Sequence, residues 1–313
     1  MRKTLYSATV AAAATIALVG LTACSSDSSS AGSSGMKIGL SVSTLNNPFF
    51  VSLRDGAQAA AASAGVSLTV TDAQNDASQQ ANQIQNFTSQ NVKAIIINPV
   101  DSDAAGPSVK AAGSASIPVV AADRTVNNAK IAATVASDNV AGGKQAAQEM
   151  GAELKGQGEI VILQGVAGTS AARDRGAGFT EGIKAFPGIK VVAQQPADFD
   201  RTKGLDVMTN LLQAHPNITG VFAQNDEMAL GAIKALGTKA GSTVKVIGFD
   251  GTDDGLKAVS VGTLSATVAQ QPKELGKLAV ENAVKAAKGE KIDSVVNVPV
   301  KVVTSKDVKQ FTS

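Results

Sequence analysis

The chain lacks most of the residues on which metal, redox and hydrolytic chemistry depend. Among its 313 residues there are one cysteine, one histidine and no tryptophan. A single thiol allows no internal disulfide, and the lone His215 has no Cys/His or carboxylate cluster around it in sequence, which argues against zinc binding and Ser-His-Asp catalysis. Neither a G-x-x-x-x-G-K-[ST] loop nor a G-x-G-x-x-G turn after the first strand is present, so nucleotide binding is disfavoured. These absences predict no catalytic residue, no metal and no cofactor.

The first residues have the features of an export signal. A basic start is followed by an apolar run from Ala8 to Leu21, which predicts a signal peptide over 1–23. Small residues lie directly before Cys24, as in bacterial lipoprotein signals, so Cys24 is the predicted lipidation site; its position disfavours the alternative of a buried thiol. The Ser/Gly/Ala-rich stretch that follows predicts a flexible tether, which makes 24–35 a lipidated tether.

Charge and hydropathy argue against two further classes of protein, nucleic-acid binders and proteins with a membrane-spanning helix in the mature chain. Loss of the signal lowers the 28 basic residues to 26, against 26 acidic ones. A formally neutral chain has no electrostatic support for a nucleic-acid partner. No later stretch is apolar over the roughly 18 residues that a spanning helix needs, so a lipid anchor is the predicted link to the membrane.

Residues 36–313 show a regular alternation of strand and helix patterns. Short β-rich runs are each followed by an Ala-rich amphipathic helix pattern, which predicts parallel sheets of βαβ units. The runs Ala94–Ile97 and Ile160–Leu163 are continuously apolar, as expected for strands covered on both faces. Nine or ten such units exceed one open sheet. The predicted fold class is therefore α/β, with two doubly wound parallel-sheet lobes and a break near Ser137.

Polar residues recur directly after the predicted strands, where open parallel sheets bind ligands. The strand-exit residues are Ser43, Asn47, Asn98, Asp123, Arg124, Ser137, Arg175, Asn225, Asp250 and Gln270. For Asn98 and Asp226, helix capping, turn formation or surface charge is as good an explanation as ligand contact. For Asp138, helix capping is the better explanation. A surface salt bridge is the alternative for the adjacent charges Asp123 and Arg124.

Four phenylalanines lie beside these polar residues. Phe49, Phe50, Phe199 and Phe249 fall at predicted strand exits or helix starts, although core packing remains the alternative for each of them. A sugar has polar edges that need fixed hydrogen-bond partners and C–H faces that pack on rings. The combination of rings, carboxylates and carboxamides therefore predicts carbohydrate binding.

Several blocks of the chain resemble the periplasmic ribose-binding proteins that serve ABC transporters, a group with the type I periplasmic binding protein fold. The blocks are Ser43–Phe50, Ile97–Pro99, Asp123–Arg124, Gln164–Arg175, Gln195–Asp200, Phe222–Leu230, Gly248–Thr252 and Ala269–Gln270. The resemblance implies that ribose is held by hydrogen bonds from Asn47, Asp123, Arg124, Arg175, Asn225, Asp250 and Gln270. It also implies that Phe49, Phe50 and Phe199 pack on the faces of the sugar.

The same resemblance implies a three-strand hinge near Ser137, just after Gln270 and near Val300. The lobes it predicts are 36–137 with 271–299, and 138–270 with 300–313. Its implied partners are D-ribose or a similar monosaccharide and the membrane permease of an ABC importer, with a chemoreceptor as a further candidate. An extracytoplasmic, lipid-anchored monomer is expected. Two features depart from the family: the lipoprotein leader and the segment Phe186–Ile189, a surface turn.

Three other interpretations compete. A binder of the same fold could take another pentose, a hexose or a furanose signal molecule. The effector-sensing lobes of a transcriptional repressor share the architecture, but the leader and the neutral charge disfavour them. A sugar-modifying enzyme could use Asp123 or Asp250 as acid or base, and binding carboxylates have the same appearance in sequence.

Overall fold

The computed structural model describes residues 35–311. The predicted signal peptide, Cys24 and all of the tether but Gly35 lie outside the described residues. The strands are β1 Lys37–Val42, β2 Ser67–Asp72, β3 Ala94–Ile97, β4 Val119–Ala122, β5 Ala133–Ser137, β6 Gln157–Gln164, β7 Gly188–Pro196, β8 Gly220–Ala223, β9 Lys245–Asp250, β10 Ala266–Ala269, β11 Val295–Val298 and β12 Lys301–Thr304. The α-helices are α1 Pro48–Ser63, α2 Ala77–Ser89, α3 Gly106–Ser114, α4 Asn139–Glu153, α5 Ser170–Ile183, α6 Arg201–Ala214, α7 Asp226–Leu236, α8 Asp253–Ser260 and α9 Pro272–Ala287.

The strands form two six-stranded sheets. The first has the order β11-β5-β4-β3-β1-β2 and the second β12-β10-β9-β8-β6-β7. All pairs are parallel except β12, which pairs antiparallel with β10 at the edge of the second sheet. We call the unit built on the first sheet lobe 1 and the unit built on the second sheet lobe 2. The predicted fold class of two doubly wound lobes is confirmed, with one antiparallel edge strand as an addition.

The continuously apolar strands are covered on both faces. In β3, Ile96 packs in a cluster with Leu40 and Leu53. Its neighbours Ile95 and Ile97 pack on the other side with Phe87. Successive side chains of a strand point to opposite faces, so a strand between two helical layers needs apolar residues at every position.

The chain passes between the two sheets three times: after β5, after β10, and between β11 and β12. Helix α9 follows β10 of lobe 2 but packs on α1 of lobe 1. The contact is close because it is made at glycines: a Cβ on Gly276 would run into the carbonyl of Leu53, and one on Gly56 into that of Lys273. The residue limits predicted for the two lobes, 36–137 with 271–299 and 138–270 with 300–313, remain a prediction.

Some element bounds differ from the sequence pattern for local reasons. The alternating pattern predicts a helix that starts at Ser102, after β3. Helix α3 begins only at Gly106, because the Asp101 carboxylate accepts from the backbone N–H groups of Asp103 and Ala104 and closes a turn first. Strand β10 has only four residues, too few for a clear pattern. None of the helices within residues 35–311 combines the length and apolar character that crossing a membrane needs.

Candidate functional site

A small cavity lies where the carboxyl ends of the two sheets face each other. Its lining residues are Asn47, Phe49, Phe50, Asp123, Arg124, Ala171, Arg175, Phe199, Asn225 and Asp250. All of these except Ala171 were predicted from the sequence to bind the ligand. A larger groove beside the cavity shares only Phe49 and Asp250 with it. We centre the site on the small cavity, because the buried charges converge there.

Lobe 1 contributes two adjacent charges after β4. Asp123 and Arg124 are 2% and 3% exposed, so the alternative of a surface salt bridge is wrong. Arg124 Nη1 donates to the carbonyl of Pro99 at 2.8 Å, and its Nε lies 3.7 Å from Asp123 Oδ2. Among residues 35–311, neither Arg124 Nε nor Asp123 Oδ1 has a hydrogen-bond partner. Two buried polar atoms in lobe 1 are thus left for a ligand.

Burial governs the protonation of this pair. It raises the pKa of Asp123, against the opposing pull of the Arg124 charge, and lowers the pKa of Arg124 to about 10. Asp123 also has a backbone φ of 66°, in the left-handed region that costs energy for residues other than glycine. Strain of this kind persists where the surroundings hold a functional side chain in place.

A buried amide network supports Asp123 from behind. Asn98 Oδ1 accepts from the backbone N–H and the hydroxyl of Ser43, at 3.1 and 2.7 Å. Asn98 Nδ2 donates to the carbonyl of Ala122 and, at 3.4 Å, to Asp123 Oδ2. Gln80 from α2 donates to the carbonyl of Asn98 at 2.9 Å. Ser43 and Asn98 are both fully buried and therefore lie behind the cavity. Asn98 neither caps a helix nor lines the cavity.

Lobe 2 contributes a carboxylate that is already bonded. Asp250 Oδ1 accepts from Gln270 Nε2 at 2.7 Å and from Arg175 Nη1 at 3.3 Å. Arg175 is itself fixed, since its Nε donates to Asn139 Oδ1 and its Nη1 to the carbonyl of Gln224. Burial raises the pKa of Asp250, with Arg175 opposing the shift. Within the described part of the chain, Gln270 Oε1 has no hydrogen-bond partner.

Two asparagines are fixed at helix N-termini on either side of the cavity. Asn47 caps α1, with its Oδ1 accepting from the N–H of Phe49 at 2.9 Å. Asn225 caps α7 by accepting from the N–H of Met228 at 2.9 Å, and it donates to the carbonyl of Phe199 at 3.2 Å. Capping orients each carboxamide and leaves amide hydrogens for a ligand. Asn225, and not Asp226, is the N-cap, so the capping alternative for Asp226 is wrong; Asp138 caps α4 as expected.

Two of the aromatic rings that line the cavity lie against Arg124, and a third packs on one of them. The Arg124 guanidinium lies 5.1 Å from the ring centre of Phe50 and 5.6 Å from that of Phe199. Phe49 meets Phe50 edge to face at 5.2 Å between ring centres. Phe199 has a φ of 59°, a second left-handed residue at the site. The rings present apolar surface next to the buried charges, which is the surface that a sugar face needs.

Besides Ser43, Asn98 and Gln270, two further predicted residues do not line the cavity. Phe249 is fully buried in the core of lobe 2, where its ring lies 3.9 Å below the Arg175 guanidinium. Ser137 lies at the passage between the lobes and lines a separate polar hollow with Asp138 and Asn139. Both are close to the site without lining it.

The loops of the two lobes touch beside the cavity. The backbone N–H of Ser102 donates to the carbonyl of Gly168 at 3.1 Å. The N–H of Thr125 donates to the Ser170 hydroxyl at 2.9 Å. The first bond joins a strand-exit loop of lobe 1 to the loop that precedes α5 of lobe 2, and the second joins another such loop to the first residue of α5, so the lobes are closed on each other.

Comparison with known proteins agrees with this geometry. Residues 38–291 match the family described as periplasmic binding protein domain. The chain belongs to this family. It is 53% identical to the ribose import binding protein RbsB of Escherichia coli (strain K12) over 267 residues, which are 85% of this chain and 90% of that protein. It is 46% identical to RbsB of Bacillus subtilis (strain 168) over 299 residues, 93% of this chain and 97% of that protein.

A solved structure shows the same architecture. The solute-binding protein of an ABC transporter from Bacillus halodurans C-125, with bound myo-inositol, matches with a TM-score of 0.84 at 37% identity, covering 90% of this chain and 99% of that one. The resemblance inferred from the sequence blocks is confirmed. The relatives are binding proteins, in agreement with the expectation that this periplasmic binding protein is not an enzyme.

Sequence reasoning missed the supporting residues of this periplasmic binding protein. Gln80 was not selected, and Asn139 and Gln224 were noted only as a strand-exit residue and as part of a motif, without a role. All three lie behind the site and touch it through bonds to residues at least 18 positions away. One signal was available: Gln80 is a polar residue on the buried stripe that α2 forms with Ile84 and Phe87. Across residues 35–311, no group of three or more His, Cys, Asp or Glu side chains is placed to hold a metal ion.

Proposed function

We propose that this protein is an extracytoplasmic solute-binding protein that captures D-ribose between its two lobes and delivers it to the permease of an ABC importer. One observation carries the proposal. Three buried polar atoms from the two lobes have no partner in the described chain: Asp123 Oδ1 and Arg124 Nε belong to residues that line the cavity, and Gln270 Oε1 belongs to the side chain that bonds the lining residue Asp250. Similarity to ribose import binding proteins at about half identity supports ribose as the ligand.

Each unpartnered atom suits a sugar hydroxyl, which both donates and accepts. Asp123 Oδ1 and Gln270 Oε1 accept from hydroxyl groups, and Arg124 Nε donates to a hydroxyl oxygen. Hydrogen bonds to a charged group contribute roughly 1.5 to 3 kcal/mol each, so the lobe 1 pair supplies much of the affinity. Asn47, Asn225, Arg175 and Asp250 complete the polar set, and Phe49, Phe50 and Phe199 pack against the C–H faces.

We assign a supporting role to four of the five predicted residues that do not line the cavity; the fifth is Gln270. Ser43 and Asn98 hold Asp123 through the amide network. Phe249 lies under Arg175 and restricts its guanidinium to the plane that reaches Asp250. Ser137 lies in the hinge. None of these four makes a direct bond to the sugar in this account.

Closure gives the mechanism. Bonds from both lobes to one sugar form together only when the lobes are closed, so ribose stabilises the closed state through its differential affinity for it. The bonds between Ser102 and Gly168 and between Thr125 and Ser170 add to that state. The permease recognises the closed protein, which is monomeric and for which a chemoreceptor is a second candidate partner.

Attachment to the membrane is proposed from residues outside the described part of the chain. Cleavage before Cys24 and lipidation of its thiol anchor the protein, and the Ser/Gly-rich tether lets the binding lobes reach the permease. Cell fractionation with mass spectrometry of the N-terminus tests this. A Cys24→Ala protein that stays in the membrane fraction as firmly as the wild type contradicts the anchor.

A second candidate is a binder of the same fold for another polyol, favoured by the myo-inositol in the similar Bacillus halodurans structure. Calorimetry with ribose, its epimers, 2-deoxyribose and myo-inositol separates the two. We expect ribose to bind most tightly and the deoxy sugar much more weakly, because a missing hydroxyl leaves a buried partner unpaired. Equal affinities across the panel, or no binding of ribose, refute the ribose assignment.

A further inference from the structure

A carboxylate that does not line the cavity is buried directly beneath it. Asp226, the first residue of α7, is fully buried and follows the site residue Asn225. Its Oδ1 accepts from the Thr267 hydroxyl at 2.7 Å. Its Oδ2 accepts from the N–H and the hydroxyl of Thr252, at 2.8 and 3.1 Å. All three bonds leave α7 for the turn after β9 and for strand β10, so they serve no purpose within the helix.

These bonds fix the turn that carries the lobe 2 carboxylate of the site. Asp250 has a φ of 121° and Gly251 a φ of 72°, both in the left-handed region. For a residue with a Cβ such a backbone is strained and persists only where the surroundings impose it. Here Thr252 is bonded to Asp226, and the N–H of Gly251 donates to the Thr267 hydroxyl at 3.2 Å. Both residues that follow Asp250 are therefore held by one cluster, in which Asp226 and Thr267 are fully buried and Thr252 is half-buried.

The room around the Asp226 carboxylate is fitted to it. A Cβ on Gly248 would run into Oδ1, and a Cβ on Gly255 would run into Oδ2. The carboxylate therefore lies between two glycines and has one position available. Capping of α7 does not explain it, because Asn225 already caps that helix.

We propose that Asp226 is a positioning residue of the sugar site: through Thr252 and Thr267 it holds the strained turn that directs the Asp250 carboxylate at the ligand. The inference rests on the proposed function, because it concerns the same site. Asp226 itself makes no contact with the sugar. Asp226 affects ribose affinity only by positioning Asp250. The effect should therefore shrink when the Asp250 carboxylate is removed, which can be tested.

Thr267 offers the cleanest test, since valine replaces threonine with almost no change in shape. Thr267→Val removes the hydroxyl that joins Asp226 to Gly251, and we expect ribose affinity to fall about tenfold, as for a buried partner left unpaired. Thr267→Ser keeps the hydroxyl and restores most of the affinity. Thr219→Val is the matched control: its hydroxyl donates to the carbonyl of Glu159 at 3.2 Å, at the far end of β8 from the cavity.

The readout that separates positioning from stability is a double-mutant cycle with Asp250→Asn, measured by calorimetry beside chemical denaturation. If Asp226 and Thr267 act through Asp250, Thr267→Val costs much less affinity in the Asp250→Asn protein than in the wild type. Its effect on unfolding persists in both. A crystal structure of the Thr267→Val protein should show residue 250 with a changed φ.

Two results overturn the inference. In the first, Thr267→Val and Thr219→Val lower the free energy of unfolding alike and leave ribose affinity unchanged. In the second, the affinity losses of Thr267→Val and Asp250→Asn add in the double mutant. Failure of the proposed function is a different result: the wild type then binds another sugar of the panel and not ribose. The cycle is run with that sugar, and the same two outcomes decide the positioning role.

Discussion

The two lobes bring the same pair of charges to the cavity but hold them differently. In lobe 1, Asp123 Oδ1 and Arg124 Nε have no partner within residues 35–311, and the charges are 3.7 Å apart. In lobe 2, Asp250 Oδ1 accepts from Arg175 and Gln270, and a buried cluster fixes the turn behind it. Lobe 2 therefore presents a preorganised surface, whereas each member of the lobe 1 pair keeps one buried polar atom that depends on the sugar for a hydrogen bond.

This difference has an energetic consequence. A buried polar atom without a partner costs roughly 1 to 3 kcal/mol, and hydration in an open cleft removes that cost. The closed form without sugar is therefore penalised mainly by lobe 1. Ribose removes the penalty, which is how one small ligand shifts the equilibrium between open and closed lobes.

The largest expected effect tests the dependence of lobe 1 on the ligand. Asp123→Ala removes a charged acceptor that makes few bonds within the protein, so we expect ribose affinity to fall about 100-fold or more while the fold is retained. Calorimetry and thermal unfolding measure the two quantities. Asp293→Ala, at an exposed carboxylate, is the control. Near-wild-type binding by the Asp123→Ala protein would show that the cavity is not the sugar site.

A mixed effect is expected in lobe 2, where the site residues are also structural. Asn225→Ala removes the cap of α7 as well as an amide at the cavity. We expect ribose affinity to fall by tens of fold and the free energy of unfolding by about 1 kcal/mol. Titration and urea denaturation of one preparation give both values. A loss of affinity with unchanged stability would remove the contrast between the lobes.

The aromatic wall should give a smaller loss. Phe199→Ala deletes a ring that packs over the cavity, and we expect about tenfold weaker ribose binding with the order of preference among epimers unchanged. Stacking responds to the face of a sugar more than to the position of its hydroxyls. Phe186→Ala, which removes a ring packed on Gly151 elsewhere in lobe 2, is the control. A reversed epimer preference in the Phe199→Ala protein would contradict the stacking role.

The smallest effect is a pH dependence in the preorganised half. Burial raises the pKa of Asp226 to about 6 in the folded protein. The folded state therefore binds this proton more tightly than the unfolded chain, and acidification from pH 7 to pH 5 stabilises the wild type relative to Asp226→Asn. The change is about 1 kcal/mol in the difference between their free energies of unfolding. Parallel denaturation series at the two pH values measure it, and a difference that moves the other way would refute the shift.

The strand-exit rule found the charges of the site from sequence. Asp123 directly follows β4, Asp250 is the last residue of β9, and Asn225 lies two residues after the end of β8. Parallel strands bring their carboxyl ends to one edge of the sheet. The same rule also selected Ser43, Asn98 and Ser137, because position along a strand does not reveal which neighbour a side chain will bond. Phe249 was selected for its position beside Asp250, but its ring points into the core.

The supporting bonds needed the three-dimensional structure. Asp226 meets Thr267 across 41 positions, and Arg175 meets Asp250 across 75. No local pattern encodes such pairs, since they follow from the order in which β8, β9 and β10 lie in the sheet. The alternation of strands and helices predicted the fold well, because burial on both faces leaves a strong apolar signal in each strand.

The most direct test of the account is a crystal structure of the protein with ribose. The account predicts one ribose between Phe50 and Phe199, bonded to Asp123 and Arg124 from lobe 1 and to Asp250 and Asn225 from lobe 2. A sugar held by one lobe alone, or bound outside this cavity, would contradict it.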